Sequence, residues 1–294
     1  MKKLFLLLSI LCITFGASSQ LLWKISGNDM AKPSYVFGSH HMAPLSIKDS
    51  IAGLDQVLKD TEQMYGEIDM EEMMRPEVIA EMQQQMILPG DTTLTMLYTP
   101  AQFDSINVVL KPYVGVDLTA FNKIKPAAIN AQLAVILASQ AVNGYNPQEQ
   151  LDTWFQTQAK AENKHVGSLE TIEKQLYILY GSQSLQRQAE VLLDAVNEMD
   201  KMVKMTKDMY DAYMRQDLDG LKKIMDEEMD NESCSTPEEE DILIYDRNKD
   251  WAEKLPAIMK EKSTLIVVGS AHLPGEEGLL NLLKQKGYKI EPVK

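Results

Sequence analysis

Two of the four histidines in this sequence hold the same position relative to an apolar run that ends in glycine and serine. His41 follows YVFGS at residues 35–39, and His272 follows IVVGS at residues 266–270; the two segments align without a gap. A single Gly-x-x-His pattern is common, but duplication of the whole context predicts that the two histidines share a site. Because neutral imidazoles are good ligands for divalent transition metals, such a pair would suit a metal ion.

Glu67 is the best candidate for a third ligand. It lies in the strand-like segment 63–69, where a carboxylate has little structural reason to be. An alternative stays open, in which Glu67 is only a surface acid on an edge strand. Two histidines and one carboxylate that leave a coordination position open form a catalytic metal site, which lowers the pKa of a bound water.

The elements around these residues are predicted to bring them to one edge of a sheet. Apolar runs bounded by turn residues predict strands over residues 33–38, 63–69, 164–169, 264–269 and 288–293. Helical spacing predicts helices over residues 51–59, 127–142, 189–210 and 276–286. The sequence therefore predicts an α/β fold: a central mixed or mostly parallel sheet with flanking helices and a helical insertion between the N- and C-terminal strands. Open α/β sheets bind ligands at the carboxyl ends of their strands.

Residues 1–19 read as a signal peptide. Lys2 and Lys3 precede an apolar run over residues 4–15, and the small residues 16–19 suit cleavage after Ser19. The run is too short for a comfortable membrane-spanning helix. We therefore expect a single mature domain over residues 20–294, exported to the periplasm or secreted, that meets a membrane only transiently through its signal peptide.

Composition argues against a nucleic-acid partner and against stabilisation by an internal disulfide. The 294-residue chain has a formal net charge of −14, which argues against nucleic-acid binding, because phosphate contacts need clustered Lys and Arg. Cys234 is the one cysteine of the expected mature chain, so no internal disulfide is expected. Its acidic surroundings, residues 226–241, are interpreted as a solvated loop between helices, since the spacing of a calcium loop is absent. The eighteen methionines are interpreted as core-filling side chains.

Several further motifs make the sequence resemble the TraB/GumN family, which is related to the Tiki metalloproteases and more distantly to the erythromycin-esterase and ChaN-like superfamily. The resemblance covers nearly the whole expected mature chain. The motifs that carry it are FGSHH at residues 37–41, GEID at 66–69, GSLET at 167–171 with Gln175, DRN at 246–248 with Trp251, and VGSAHLPG at 268–275.

The resemblance implies that His41, Glu67 and His272 form a metal centre. His40 occupies a variable position of the first motif and ranks below His41, and His165 lacks the motif context. The resemblance also carries over Arg247, although relatives have Glu-Arg-Asn where this chain has Asp246-Arg247-Asn248. Arg247 is interpreted either as a stabiliser of negative charge on the substrate or as a counter-charge for the carboxylates.

Glu170 follows the short strand over residues 164–169 and has two open interpretations. It acts as a general base on a metal-activated water or as a further ligand, or it is only a carboxylate placed favourably at a helix N-terminus. The metal is also open among zinc, manganese and cobalt: a His2Glu centre suits zinc, and the likeness to Tiki proteins favours manganese or cobalt.

These expectations together describe an exported metal-dependent hydrolase that cleaves a peptide or protein substrate. Two alternatives from other classes stay open: a non-enzymatic haem- or metal-binding protein, and a regulatory protein that sequesters a peptide.

Overall fold

Four adjacent parallel strands of a six-stranded sheet define the fold of this protein. The structure, a computed structural model, describes residues 20–229 and 235–294. The strands are β1 (Leu22–Ser26), β2 (Ser34–Ser39), β3 (Gln63–Gly66), β4 (His165–Ser168), β5 (Thr264–Gly269) and β6 (Lys289–Pro292). Their spatial order is β4-β3-β5-β2-β1-β6. The fold is therefore α/β with a mixed, mostly parallel sheet, as predicted.

The parallel strands end together at one edge of the sheet. β2 pairs with β5, β5 with β3 and β3 with β4, and all three pairings are parallel. The register places Ser39 beside Gly269, and Gly66 beside both Val267 and Ser168. β1 is antiparallel to both β2 and β6. The residues that follow β2, β3, β4 and β5 thus leave the sheet at the same side.

Helices fill the connections and form the predicted insertion. They are α1 (Leu54–Asp60), α2 (Met70–Met73), α3 (Pro76–Gln85), α4 (Leu94–Leu97), α5 (Pro100–Val114), α6 (Pro126–Ala141), α7 (Leu151–Ala161), α8 (Ile172–Tyr180), α9 (Leu185–Asn197), α10 (Met199–Met214), α11 (Leu218–Met229), α12 (Pro237–Glu240), α13 (Asp246–Glu261) and α14 (Leu279–Gln285). Side-chain caps mark several starts: the hydroxyls of Thr171 and Ser184 accept from backbone N–H groups at the beginnings of α8 and α9.

The buried side chains form a core around the sheet and a second core inside the insertion. Trp251, Phe37 and Phe155 lie in the sheet core. The insertion core packs α5, α6 and α9 around residues such as Ile106 and Leu192. Among the residues that the structure describes, no helix has the length and apolar character needed to cross a bilayer.

Several predicted boundaries are wrong. The stretch over residues 189–210 is two helices, because Glu198 (φ −109°, ψ 32°) leaves the helical region between α9 and α10. The strand predicted to reach Asp69 ends at Gly66, and Asp69 instead caps α2. The helix predicted from Glu276 begins at Leu279. β1 was not predicted, since its five residues include the charged Lys24.

Two predicted features fall wholly or partly outside the described residues. The signal peptide over residues 1–19 lies outside them, and so does Cys234. The described parts of the acidic segment 226–241 include the end of α11, which extends to Met229, and all of α12 (Pro237–Glu240), so the predicted loop is wrong for those residues.

Candidate active site

The predicted functional residues follow the carboxyl ends of the parallel strands. Glu67 comes directly after β3, and Glu170 lies two residues beyond β4. His41 is two residues beyond β2, and His272 is in a short 3-10 turn (Ser270–His272) after β5. Arg247 reaches the same place from the first turn of α13. Sheet topology thus brings together residues that are up to 231 positions apart in the chain.

Glycine lets the two aligned motifs pack against each other. A Cβ atom at Gly38 would lie 2.8 Å from Leu273 Cδ1 and 3.0 Å from Ser270 Cα. At Gly269 a Cβ atom would lie 3.4 Å from Glu67 Oε1 and 3.5 Å from His272 Cδ2. Close approach at the strand ends therefore requires glycine at Gly38, whereas a Cβ atom at Gly269 would make only ordinary contacts.

Arg247 joins the two glutamates. Its Nη2 donates to Glu170 Oε1 at 2.6 Å and its Nε to Glu170 Oε2 at 3.1 Å, and Nη2 also donates to Glu67 Oε2. The side chains are 6%, 0% and 10% exposed for Arg247, Glu170 and Glu67 respectively. The guanidinium thus compensates two buried carboxylates at once, as one of its two predicted roles requires.

Glu67 stays ionised in this setting. Its Oε1 accepts from the Gly269 N–H at 2.8 Å, and its Oε2 accepts from Gln175 Nε2 at 3.1 Å. Burial by itself disfavours the carboxylate, but the His272 ring, which is protonated at the low pH where Glu67 titrates, and the Arg247 guanidinium hold the pKa of Glu67 at about 2.

His272 is a neutral imidazole whose tautomer can be assigned from its partners. Asn248 Nδ2 donates to the carbonyls of His272 and Glu277, at 3.2 and 2.9 Å, so Asn248 Oδ1 must face the ring. His272 Nδ1 lies 2.8 Å from that oxygen and therefore carries the proton. Nε2 is left as an acceptor, 3.1 Å from Arg247 Nη1 and 3.9 Å from Glu67 Oε1. Burial against Trp251 lowers the pKa of His272 to about 4.

His41 lies at the rim of this cluster. Its side chain is 62% exposed, and its Nδ1 lies 3.3 Å from Asp152 Oδ2. Asp152 is itself fixed, because Ser39 Oγ donates to its Oδ1 at 2.9 Å. The Asp152 carboxylate raises the pKa of His41 to about 9. Glu67 also raises that pKa, and Arg247 lowers it.

The other two histidines have different surroundings. His40 packs against Tyr213, with ring centroids 5.2 Å apart, and its Nδ1 accepts from the Met42 N–H at 3.0 Å. His165 is exposed on the edge strand β4 and contacts Tyr65 edge-on.

The donor set fits a transition-metal ion in its chemistry. In both His41 and His272 an oxygen acceptor faces Nδ1, from Asp152 and Asn248 respectively, which leaves Nε2 as the coordinating atom. Metal-binding histidines are usually held by an outer acceptor of this kind. Across residues 20–229 and 235–294, however, no three His, Cys, Asp or Glu side chains are already grouped as a metal site. Arg247 Nη1 contacts the Nε2 of His272, so a metal there would have to displace that contact.

Three residues of the site had no role predicted from sequence. Asn248 and Gln175 lie inside motifs that carried the family resemblance, and their polar side chains next to predicted site residues were the available signal. Asp152, in the first turn of α7, had no such signal. Only the packing of α7 beside β3 and β4 places it next to His41.

The fold and the site define an α/β protein with a His/Glu/Arg cluster at the carboxyl edge of its sheet. A sequence model of the TraB/PrgY/gumN family matches residues 21–292, nearly the whole chain, and the protein belongs to that family. Searches among curated proteins and among solved structures gave no significant match.

Proposed function

We propose that this protein is an exported metal-dependent hydrolase that cleaves peptide bonds. The carrying observation is that Nδ1 of both aligned histidines faces an acceptor oxygen, next to an ionised Glu67. Nε2 of His272 carries no proton, whereas His41, whose pKa is raised to about 9, must release its Nε2 proton to coordinate an ion. His41, Glu67 and His272 are the residues proposed to hold the divalent ion, which would be zinc, manganese or cobalt. Such an ion supplies Lewis-acid chemistry when it is bound.

Arg247 is the side chain best suited to stabilise negative charge that develops on a substrate carbonyl. It is a fixed cation, held in place through all three of its nitrogen atoms: Nε, Nη1 and Nη2. A preorganised donor of this kind needs no reorganisation during the reaction, which is the basis of electrostatic catalysis.

Glu170 is proposed to position Arg247. Both of its oxygens accept from the guanidinium and its side chain is fully buried. To serve as the general base predicted from sequence, it must release one oxygen from Arg247.

The first test is metal analysis of protein purified without chelator or affinity tag. We expect retained divalent metal in the wild type and loss of that metal in both His41→Ala and His272→Ala. His165→Ala is the matched control, because His165 is exposed and outside the cluster. Wild-type metal content in the His41 and His272 variants, with folding intact by circular dichroism, overturns the proposal.

Peptide sequestration is the second candidate, and a large apolar cavity beside the cluster favours it. Incubation of a peptide with the metal-loaded protein, followed by mass spectrometry, separates the two functions. Fragments absent from the His272→Ala reaction indicate hydrolysis; stoichiometric binding of an intact peptide indicates sequestration.

A further inference from the structure

The apolar cavity beside the cluster, with a volume of about 430 Å³, is lined by five methionines: Met42, Met202, Met205, Met209 and Met225. Among the described residues, Met202 packs on the insertion core and Met209 on the sheet core. Met42, Met205 and Met225 belong to none of the hydrophobic clusters that those residues form. The interpretation of the methionines as core filling is therefore wrong for these three side chains, which border an open space.

Three of the five methionines lie on one face of α10. Met202, Met205 and Met209 are spaced by three and four residues, and side chains with these spacings are neighbours on a helix surface. Met42 comes from the loop after β2 and Met225 from α11, so the cavity collects thioethers from three separate elements. Because a methionine side chain has three rotatable bonds, sulfurs on one helix face can converge on a single bound ion.

Sulfur atoms are the donors that the cavity wall offers to a metal ion. Thioethers are soft ligands that select Cu(I), whereas carboxylates and imidazoles suit harder or borderline ions. His40 is the one imidazole that the described residues contribute to the wall, and its Nδ1 accepts from the Met42 N–H at 3.0 Å, which leaves the ring proton on Nε2. Within residues 20–229 and 235–294, the carboxylates of the wall are not grouped as metal ligands either. The wall therefore favours a soft ion over zinc or manganese.

The charges on the cavity wall favour a cation. Asp194, Glu198 and Glu240 contribute carboxylates, and Lys201, which lies 3.7 Å from the carboxylate of Glu198, contributes the one ammonium group among the described residues of the wall. A cation that enters an apolar space loses its hydration, and nearby carboxylates offset part of that cost. A monovalent ion needs less compensation than a divalent ion, which again favours Cu(I).

We propose that Met202, Met205 and Met209 bind the soft monovalent ion Cu(I) through their thioether sulfurs, with Met42 and Met225 available to complete its coordination. This site goes beyond the proposed function, because it is separate from the nitrogen and oxygen donors of the candidate active site. The two sites select different ions by the softness of their ligands.

The test is competition between the full chain and bathocuproine disulfonate for Cu(I) in the presence of ascorbate. Calorimetric titration with Ag(I) repeats it, since Ag(I) shares the preference for sulfur and keeps its oxidation state. We expect saturable binding of both ions. The triple variant Met202→Leu/Met205→Leu/Met209→Leu removes three sulfurs at nearly constant volume, so the fold should persist while the affinity for both ions falls at least about tenfold. X-ray absorption at the copper edge should show sulfur neighbours in the wild type and their loss in the triple variant.

The matched control is Met74→Leu/Met96→Leu, because these two side chains are 72% and 70% exposed and lie outside the cavity. It should bind Ag(I) as the wild type does. Met205→Leu is the second cavity variant, since Met205 packs on neither core: it should lower the Ag(I) affinity without a change in the urea midpoint. Circular dichroism checks that each variant is folded.

Wild-type Ag(I) affinity in both Met205→Leu and the triple variant overturns the copper proposal, and so does an equal loss in the exposed control. His41→Ala/His272→Ala separates the copper site from the candidate active site. This double variant should keep wild-type Ag(I) affinity, and loss of Ag(I) binding there would place the ion at the histidines instead. The hydrolase proposal is decided by zinc, manganese or cobalt content, which the three Leu substitutions should leave at the wild-type level.

Discussion

At the scale of single residues, the site depends on how two buried glutamates share one guanidinium. Glu170 is fully buried and both of its oxygens accept from Arg247, whereas Glu67 shares the same Nη2 and also accepts from Gly269. Because charges removed from water require close partners, loss of the cation would leave two carboxylates uncompensated.

Arg247→Ala is therefore expected to lower the free energy of unfolding by about 3–5 kcal/mol, because it leaves buried carboxylates unpaired. Urea denaturation measures this loss. Adding Glu170→Gln should recover part of it, since the second change removes one of the stranded charges. The control is Arg75→Ala, which breaks an exposed ion pair with Glu77 and should leave the unfolding midpoint unchanged. Additive losses in the Arg247/Glu170 double variant would contradict this account.

A second expectation at this scale concerns the acceptors behind the two histidines. Asp152→Ala and Asn248→Leu each remove the group that faces Nδ1, so each should reduce metal affinity about 10- to 100-fold. Asp152→Asn keeps an acceptor oxygen and should lose less affinity than Asp152→Ala. Competition with a chelator of known affinity measures the change. Equal metal affinity in Asp152→Ala and the wild type would show that Asp152 does not support the binding of a metal by His41.

At the scale of elements, the carboxyl ends of β2 and β5 are fitted to each other. The Gly38 carbonyl accepts from the Tyr213 hydroxyl at 2.8 Å, and its Cα faces the turn that carries Ser270 and Leu273. This contact fixes the spacing between the loops that lead to His41 and His272.

Gly38→Ala should destabilise the protein by about 1–3 kcal/mol, because the new methyl group overlaps Leu273 and the backbone of Ser270. Gly269→Ala is the matched control, since its methyl group meets nothing closer than 3.4 Å. Chemical denaturation of the two variants should show the larger loss for Gly38→Ala. The reverse order would mean that the two strand ends are not packed as tightly as the structure places them.

At the scale of the whole molecule, α10 links the two cores. Its N-terminal residues Met202 and Val203 pack on the insertion core, whereas Ala212 and Tyr213 near its end belong to the sheet core. Because this one helix packs on both cores, unfolding of either core removes packing from the other.

We expect the chain over residues 20–294 to unfold in one cooperative transition, as a single domain. Trp23, Trp154 and Trp251 all belong to the sheet core or pack on it, so tryptophan fluorescence reports that part of the molecule. Far-UV circular dichroism also reports the helices of the insertion. The two signals should give coincident urea curves. Separate midpoints would show that the insertion is an independent unit.

The sequence determined the features that depend on short segments of chain. Apolar runs that end in glycine predicted β2 and β5. The equal spacing from each run to His41 and His272 predicted that both histidines lie at one edge of the sheet. Glu67 and Glu170 were assigned in the same way, from their positions just beyond short strands. Such patterns are local, because strand periodicity and glycine geometry act over a few residues.

Only the tertiary structure decided what surrounds those residues. Ser39 and Asp152 are 113 positions apart, and Arg247 and Glu67 are 180 positions apart. Neither contact can therefore be predicted from the spacing of residues within a short segment. One cavity is likewise formed by helices that meet only after folding, so the methionines that line it were interpreted as core filling: Met42, Met202, Met205, Met209 and Met225. Contacts of this kind follow from strand order and helix packing. The sequence by itself specified where β2 and β5 end, but not which helices would pack over them.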